Sequence, residues 1–157
     1  MKYVSLIACI VIFSTCANSK TNTITAQNQT VPAERNAIQN EVFLEYLALT
    51  RGSFLEIKIE NHKILVKHQQ HGPDKINDIS DVEWDVLMDE LHAVNLNELN
   101  TLKAPSEKRA HDGALSARLK VIDNNTIYVT PEFDHGNPNT KIKPLTDYIL
   151  SLAKKVE

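Results

Sequence analysis

Residues 54–67 read Phe54-Leu55-Glu56-Ile57-Lys58-Ile59-Glu60-Asn61-His62-Lys63-Ile64-Leu65-Val66-Lys67, and this stretch decides the fold. From Phe54 to Glu60 apolar and charged residues alternate, so Leu55, Ile57 and Ile59 share one face of a strand whose other face is wet. A second apolar run, Ile64-Leu65-Val66-Lys67-His68, follows Asn61-His62. Two connecting residues with Asn first predict a tight hairpin, because Asn tolerates positive φ. Upstream, residues 42–50 are apolar and partly β-branched or aromatic, and they stop at Arg51-Gly52, a turn signal. A meander of three strands is expected.

Beyond the meander the period changes. Ser80-Asp81-Val82-Glu83 is a capping box, in which Ser80 accepts from the Glu83 amide while the Glu83 side chain reaches back. Ile79 and Trp84 occupy the flanking apolar positions, and Trp84, Leu87, Met88, Leu91 and Val94 recur at helical spacing. Asp81 and Glu83 suit the positive end of that helix. Farther on, Leu115, Ala117, Leu119 and Val121 alternate with Ser116, Arg118 and Lys120. Asp123-Asn124-Asn125 then turns the chain into Thr126-Ile127-Tyr128-Val129-Thr130, a second hairpin. Leu145, Tyr148, Ile149, Leu152 and Val156 form a last helical stripe behind Pro144, which a helix tolerates in its first turn. Lys154 and Lys155 complement that helix's C-terminal end. The predicted order is β-β-β-α-β-β-α, an α+β domain with an antiparallel sheet and two helices packed on it.

A length of 157 residues suits one domain. With 42% hydrophobic and 24% charged residues, a wholly disordered chain, a collagen-like repeat and a polytopic membrane protein are excluded. The net charge of −3 offers no long-range attraction to nucleic acid, so no nucleic-acid partner is expected. Four glycines and two cysteines argue against a glycine-rich nucleotide fold and a disulfide framework.

The N-terminus is an address. Residues 1–16 read MKYVSLIACIVIFSTC, with Lys2 ahead of an apolar run from Tyr3 to Phe13. That run is shorter than the roughly 20 residues of a membrane-spanning helix and matches a secretory signal. Leu6-Ile7-Ala8-Cys9 fits a lipobox by its letters, but cleavage there would strand Ile10 to Phe13 on the exported side. Cleavage before Cys16 uses the whole apolar run and resembles bacterial lipoprotein signals, with Phe13 and Thr15 as departures. Ordinary cleavage after Ala17 is the competing outcome. The expected organisation is a signal peptide over residues 1–15, lipidation at Cys16, a polar tether over 16–41 and one domain over 42–157. The tether is rich in Asn, Thr, Gln and Ser. A helix from about Pro32 to Ile38 competes with that reading.

No Walker loop, G-x-G-x-x-G, H-E-x-x-H, G-x-S-x-G or C-x-x-C is present, and no cofactor is called for. One constellation remains. Arg109-Ala110-His111-Asp112-Gly113 leads into the fourth strand, and Phe133-Asp134-His135-Gly136-Asn137-Pro138 leaves the fifth. A hairpin turning near Asn124 sets Gly113 opposite His135 and Asp112 opposite Gly136. Three chemistries suit this set. His111, His135 and the aspartates could ligate a metal, since imidazole and carboxylate suit zinc, although no recognised spacing supports it. His135 beside Asp112 could serve as an acid–base pair. Structurally, Asp112 and Asp134 would bond local amides, both glycines would turn the chain, and Arg109 would pair with Asp134. Arg109, His111, Asp112, Gly113, Asp134, His135 and Gly136 are therefore the candidate ligand or partner-binding residues.

Elsewhere the simple readings prevail. His62 reads as turn decoration, His92 as flanking the helix stripe, His68 and His71 as straddling a strand end, and Trp84 as a core anchor. Residues 74–98 hold eight acids against one Lys, a solvated face or a dock for a cationic partner.

On Thr50-Arg51-Gly52, Trp84, Ala104-Pro105-Ser106, Asp112-Gly113-Ala114 and the run from Phe133 to Pro138, the chain resembles small envelope lipoproteins of Bacteroidota-type bacteria, over residues 43–155. That resemblance implies an envelope location and carries over no catalytic role. In architecture alone, the succession of hairpin, capped helix, hairpin and helix is similar to emfourin-type inhibitors of thermolysin-like metalloproteases. The expected function is a lipid-anchored, non-catalytic binding or inhibitory module of the cell envelope, with an envelope protein such as a protease as partner. The alternative is a small metal-dependent or acid–base enzyme using His111, Asp112, Asp134 and His135.

Overall fold

The structure, a computed structural model, describes residues 42–156. The signal segment, Cys16 and the tether lie outside these residues. Among the described residues no helix is long and apolar enough to cross a membrane.

The fold is α+β. Four strands, β1 (Phe43–Thr50), β2 (Ser53–Glu60), β3 (Lys63–Lys67) and β4 (Lys75–Asp78), precede helix α1 (Asp81–His92). Short 3₁₀ turns at Leu96–Thr101 and Lys108–His111 lead to β5 (Ser116–Asp123), β6 (Thr126–Val129), the two-residue β7 (Phe133–Asp134) and helix α2 (Lys143–Ala153). The antiparallel sheet runs β4-β3-β2-β1-β5-β6, with β7 also on β5.

The turns form as their residues dictate. Asn61 and His62 both take positive φ (49° and 58°), as do Asn124 and Asn125 (47° and 63°), the twist that two-residue hairpins require. The β2–β3 register pairs Ile57 with Val66 and Ile59 with Ile64. Leu44, Tyr46 and Ala48 of β1 share a buried face with these residues and with Ala117, Leu119 and Val121 of β5. The stripes Leu87–Leu91 of α1 and Leu145–Ile149–Leu152 of α2 close over that face in one core. Truncating any such leucine to Ala typically costs about 2–5 kcal/mol.

Two elements exceed the expected order. β4 is fully exposed and lacks apolar alternation, so its pattern carried no strand signal. It is held by pairing with β3 and by the ion pairs Lys63–Asp78 (2.6 Å) and Lys67–Asp74 (2.9 Å) beside it. β7 arises because the second hairpin changes register. Lys120 faces Val129, but Ala117 faces Phe133, so the returning strand holds one extra residue across 130–132. Pro131 has no N–H to give the ladder there. Thr130 bridges the gap: its amide donates to Leu119 O, and its Oγ1 accepts from the Leu119 amide, each at 3.0 Å.

Candidate functional site

The residues singled out above surround one buried carboxylate. Asp134 is 2% exposed and sits in β7, opposite Ser116. Its Oδ2 accepts from Ser106 Oγ (2.5 Å) and the Lys108 amide (2.8 Å). Its Oδ1 accepts from the Arg109 amide (2.9 Å) and Arg109 Nη1 (3.2 Å). An ionised carboxylate has about four lone-pair sites, and one loop fills them all. Burial, the largest influence, pushes this carboxyl up. The Ser106 hydroxyl, the two amides and the guanidinium together overcome it and hold the group well below the ordinary carboxylate range.

Further bonds tie the same loop down. Arg109 Nη1 donates to Ser106 O (2.7 Å), Asn137 Nδ2 to Ser106 Oγ (2.7 Å) and Asn139 Nδ2 to Lys103 O (2.8 Å). Gly113 N closes the segment on Lys108 O at 2.9 Å. A Cβ on Gly113 would stand 3.2 Å from that same oxygen, so close approach rather than a turn conformation calls for glycine there. The left-handed residue is its neighbour Asp112 (φ 54°), while Gly136 holds φ 76° after β7.

His135 faces elsewhere. Its Nδ1 lies 2.8 Å from Tyr46 Oη, and the two rings sit 5.8 Å apart. Burial pushes the Tyr46 phenol up to about 12, so it keeps its proton and donates. Burial also lowers His135, which leaves Nδ1 as the acceptor and the ring proton on Nε2.

His111 and Asp112 point outward. Both are exposed, and no hydrogen bond or ion pair joins either to Asp134 or His135. The ladder that was to bring Asp112 opposite Gly136 ends at Ser116–Asp134, with a last bond from His135 N to Leu115 O (2.9 Å). The Arg109–Asp134 pair forms, but Asp134 takes its amides from Lys108 and Arg109, 26 and 25 residues away, rather than from its own turn as expected. Among the described residues no group of three or more His, Cys, Asp or Glu is placed to hold a metal ion.

Four contributors escaped sequence reasoning. Tyr46 had a readable signal, since it shares the inward parity of β1 and a buried phenol needs a partner. Ser106, Asn137 and Asn139 had none, because their targets lie 28 to 36 residues away for the first and last. His62, read as turn decoration, stacks on Trp84 at 4.3 Å and 17° and lies 3.5 Å from Asp81 Oδ1. Comparison with protein-family models, curated proteins and solved structures finds no match for this chain.

Proposed function

We propose that the protein is a lipid-anchored binding or inhibitory module of the cell envelope, attached through Cys16, that presents residues 104–113 to a protein partner. The observation that carries this reading is the inside-out construction of the loop. Ser106 and Arg109 turn inward onto Asp134, while Pro105, Glu107, Lys108, Ala110, His111 and Asp112 are exposed. A loop ordered before contact avoids roughly 0.5–1.5 kcal/mol of ordering cost for each side chain that would otherwise be immobilised on binding. Hydrogen-bond donors that saturate Asp134 also occupy the positions a substrate or metal would need, which favours presentation over chemistry at this carboxylate.

The test is a crosslinking pull-down of the lipidated protein from native envelopes, beside a Lys108→Glu/His111→Ala double variant. Both side chains are exposed, so the internal pins survive the change. The expected result is one stoichiometric partner captured by the native protein and lost by the variant. Equal capture by both, or capture by neither, overturns the loop's role. A Cys16→Ala protein recovered from the soluble rather than the membrane fraction supports the anchor; unchanged fractionation overturns it.

A further inference from the structure

The sheet face opposite the helices carries a groove at the β1–β2 hairpin end. Leu49, 44% exposed, is common to two adjoining clefts there. One, of about 390 Å³, lies between Leu49, Phe54 and the Gln69–Gln70 segment; the other, of about 120 Å³, between Leu47, Leu49, Arg118 and Glu132. The floor is rigid, because Leu49 pairs in register with Phe54 on one side and Leu47 with Arg118 on the other.

Charge on this face is unevenly spent. Lys58 lies 2.9 Å from Glu56, Lys67 2.9 Å from Asp74 and Lys120 2.8 Å from Glu45. Arg118, exposed at the groove's end, has no ion pair among the described residues. The neighbouring Glu132 instead accepts from Ser116 Oγ at 2.8 Å. An apolar floor thus ends at a guanidinium with its fork free, the group best suited to a carboxylate.

We infer that this groove binds an extended peptide segment carrying a large apolar side chain followed closely by an Asp or Glu. The apolar side chain covers Leu49 between Leu47 and Phe54, and the carboxylate meets Arg118. From the end of β3 to β5 the groove crosses three strand spacings, about 14 Å, which four extended residues span. Gln69 and Gln70, at the far end, carry amides for the peptide backbone. A fatty acid would fit an enclosed apolar cavity better than this open cleft with polar ends. The site uses none of residues 104–113, so it can fail while loop-dependent capture stands, and the reverse.

The probe is a capped tetrapeptide, Ser-Leu-Thr-Asp, titrated into ¹⁵N-labelled protein and followed by amide shifts. Saturating shifts are expected at Leu49, Phe54 and Arg118. Arg118→Glu should weaken binding by about tenfold or more, and the Lys counterpart of the probe should not bind. The variant's own spectrum reports that it is folded, and Leu49→Ser serves as a second variant that should also lose binding. Absent shifts, shifts confined to residues 104–113, or binding indifferent to Arg118→Glu overturn the proposal. Laurate shifting these residues while the peptide is silent replaces the peptide by an apolar anion. Concentration-dependent dimerisation with broadening at Leu49 replaces it by a second copy of the chain.

Discussion

Two carboxylates in this molecule each gather hydrogen bonds from a neighbouring segment, and they differ in what happens if they are lost. Glu83, on the first turn of α1, accepts from the Ser80 amide (3.1 Å), Ser80 Oγ (2.6 Å) and Lys155 Nζ (2.5 Å). The Lys155 bond, then the two from Ser80, lower it to about 2. Asp134 gathers four donors in the interior. Water can replace any bond to Glu83, so its network trims the geometry of two helix ends. No water reaches the Asp134 donors so easily, and removing their acceptor orphans several polar groups at once. The same chemistry is adjustable on the surface and obligatory inside.

Asp134→Asn is therefore the substitution with the largest expected effect. The amide offers one acceptor oxygen and turns its own N–H groups toward Ser106 and the loop amides. The melting temperature should fall by on the order of 10 °C, and within residues 42–157 trypsin should cut after Lys108 or Arg109 before any other site. Glu83→Gln should lower it by only about 2 °C and leave the loop as resistant as in the native protein. Comparable losses in the two variants, by calorimetry and limited proteolysis, would erase the distinction between them.

Next in size is Tyr46→Phe. The ring shape survives, so packing against Phe133 at 6.1 Å is retained while His135 Nδ1 loses its donor. A cost of about 1.5 kcal/mol is expected from denaturant unfolding. Ser80→Ala follows at about 1 kcal/mol, since Ser80 Oγ caps the Glu83 amide at 3.4 Å and water can take its place.

The two carboxylates also differ in how far they could be read. Ser80 and Glu83 are three residues apart, so helix geometry alone brings them together and the capping box was legible. The meander, both hairpin turns and both helical stripes were legible for the same reason: period and turn chemistry are local. The Asp134 hub was legible only in its Arg109 partner. Ser106 meets Asp134 across 28 residues, through a one-residue register change at Pro131 that no periodicity announces. Asp112 and His135 do not meet because the ladder ends at Ser116–Asp134 and the chain before it coils into the 3₁₀ turn Lys108–His111. β4 escaped because charged pairing with β3, rather than an apolar face, holds it.

The smallest expected effect is a pH dependence that separates the interior pair from the surface carboxylate. His135 is lowered from 6.5 by burial, so the native state favours the neutral ring. Its contribution is complete above pH 6.5 and is lost as pH falls through the lowered value. Tyr46 is raised from 10.0 to about 12, chiefly by burial, so its contribution is complete below pH 10 and is lost as pH rises through about 12. Glu83 is lowered from 4.5 to about 2, and its contribution goes only as pH falls through that range. Melting temperatures measured from pH 2 to 12 should thus be flat between about 6.5 and 10, where the Tyr46–His135 bond is intact, with a shallow step below and another above. His135→Gln should abolish the first acid step and spare the one near pH 2, while Tyr46→Phe should shrink the alkaline step to the part left by Lys58 and Lys155, which their hydrogen bonds to Glu56 and Glu83 raise from 10.5. A first acid step that survives His135→Gln would mean that the ring is not held neutral by its surroundings, and the Tyr46 proton would then have no assigned acceptor.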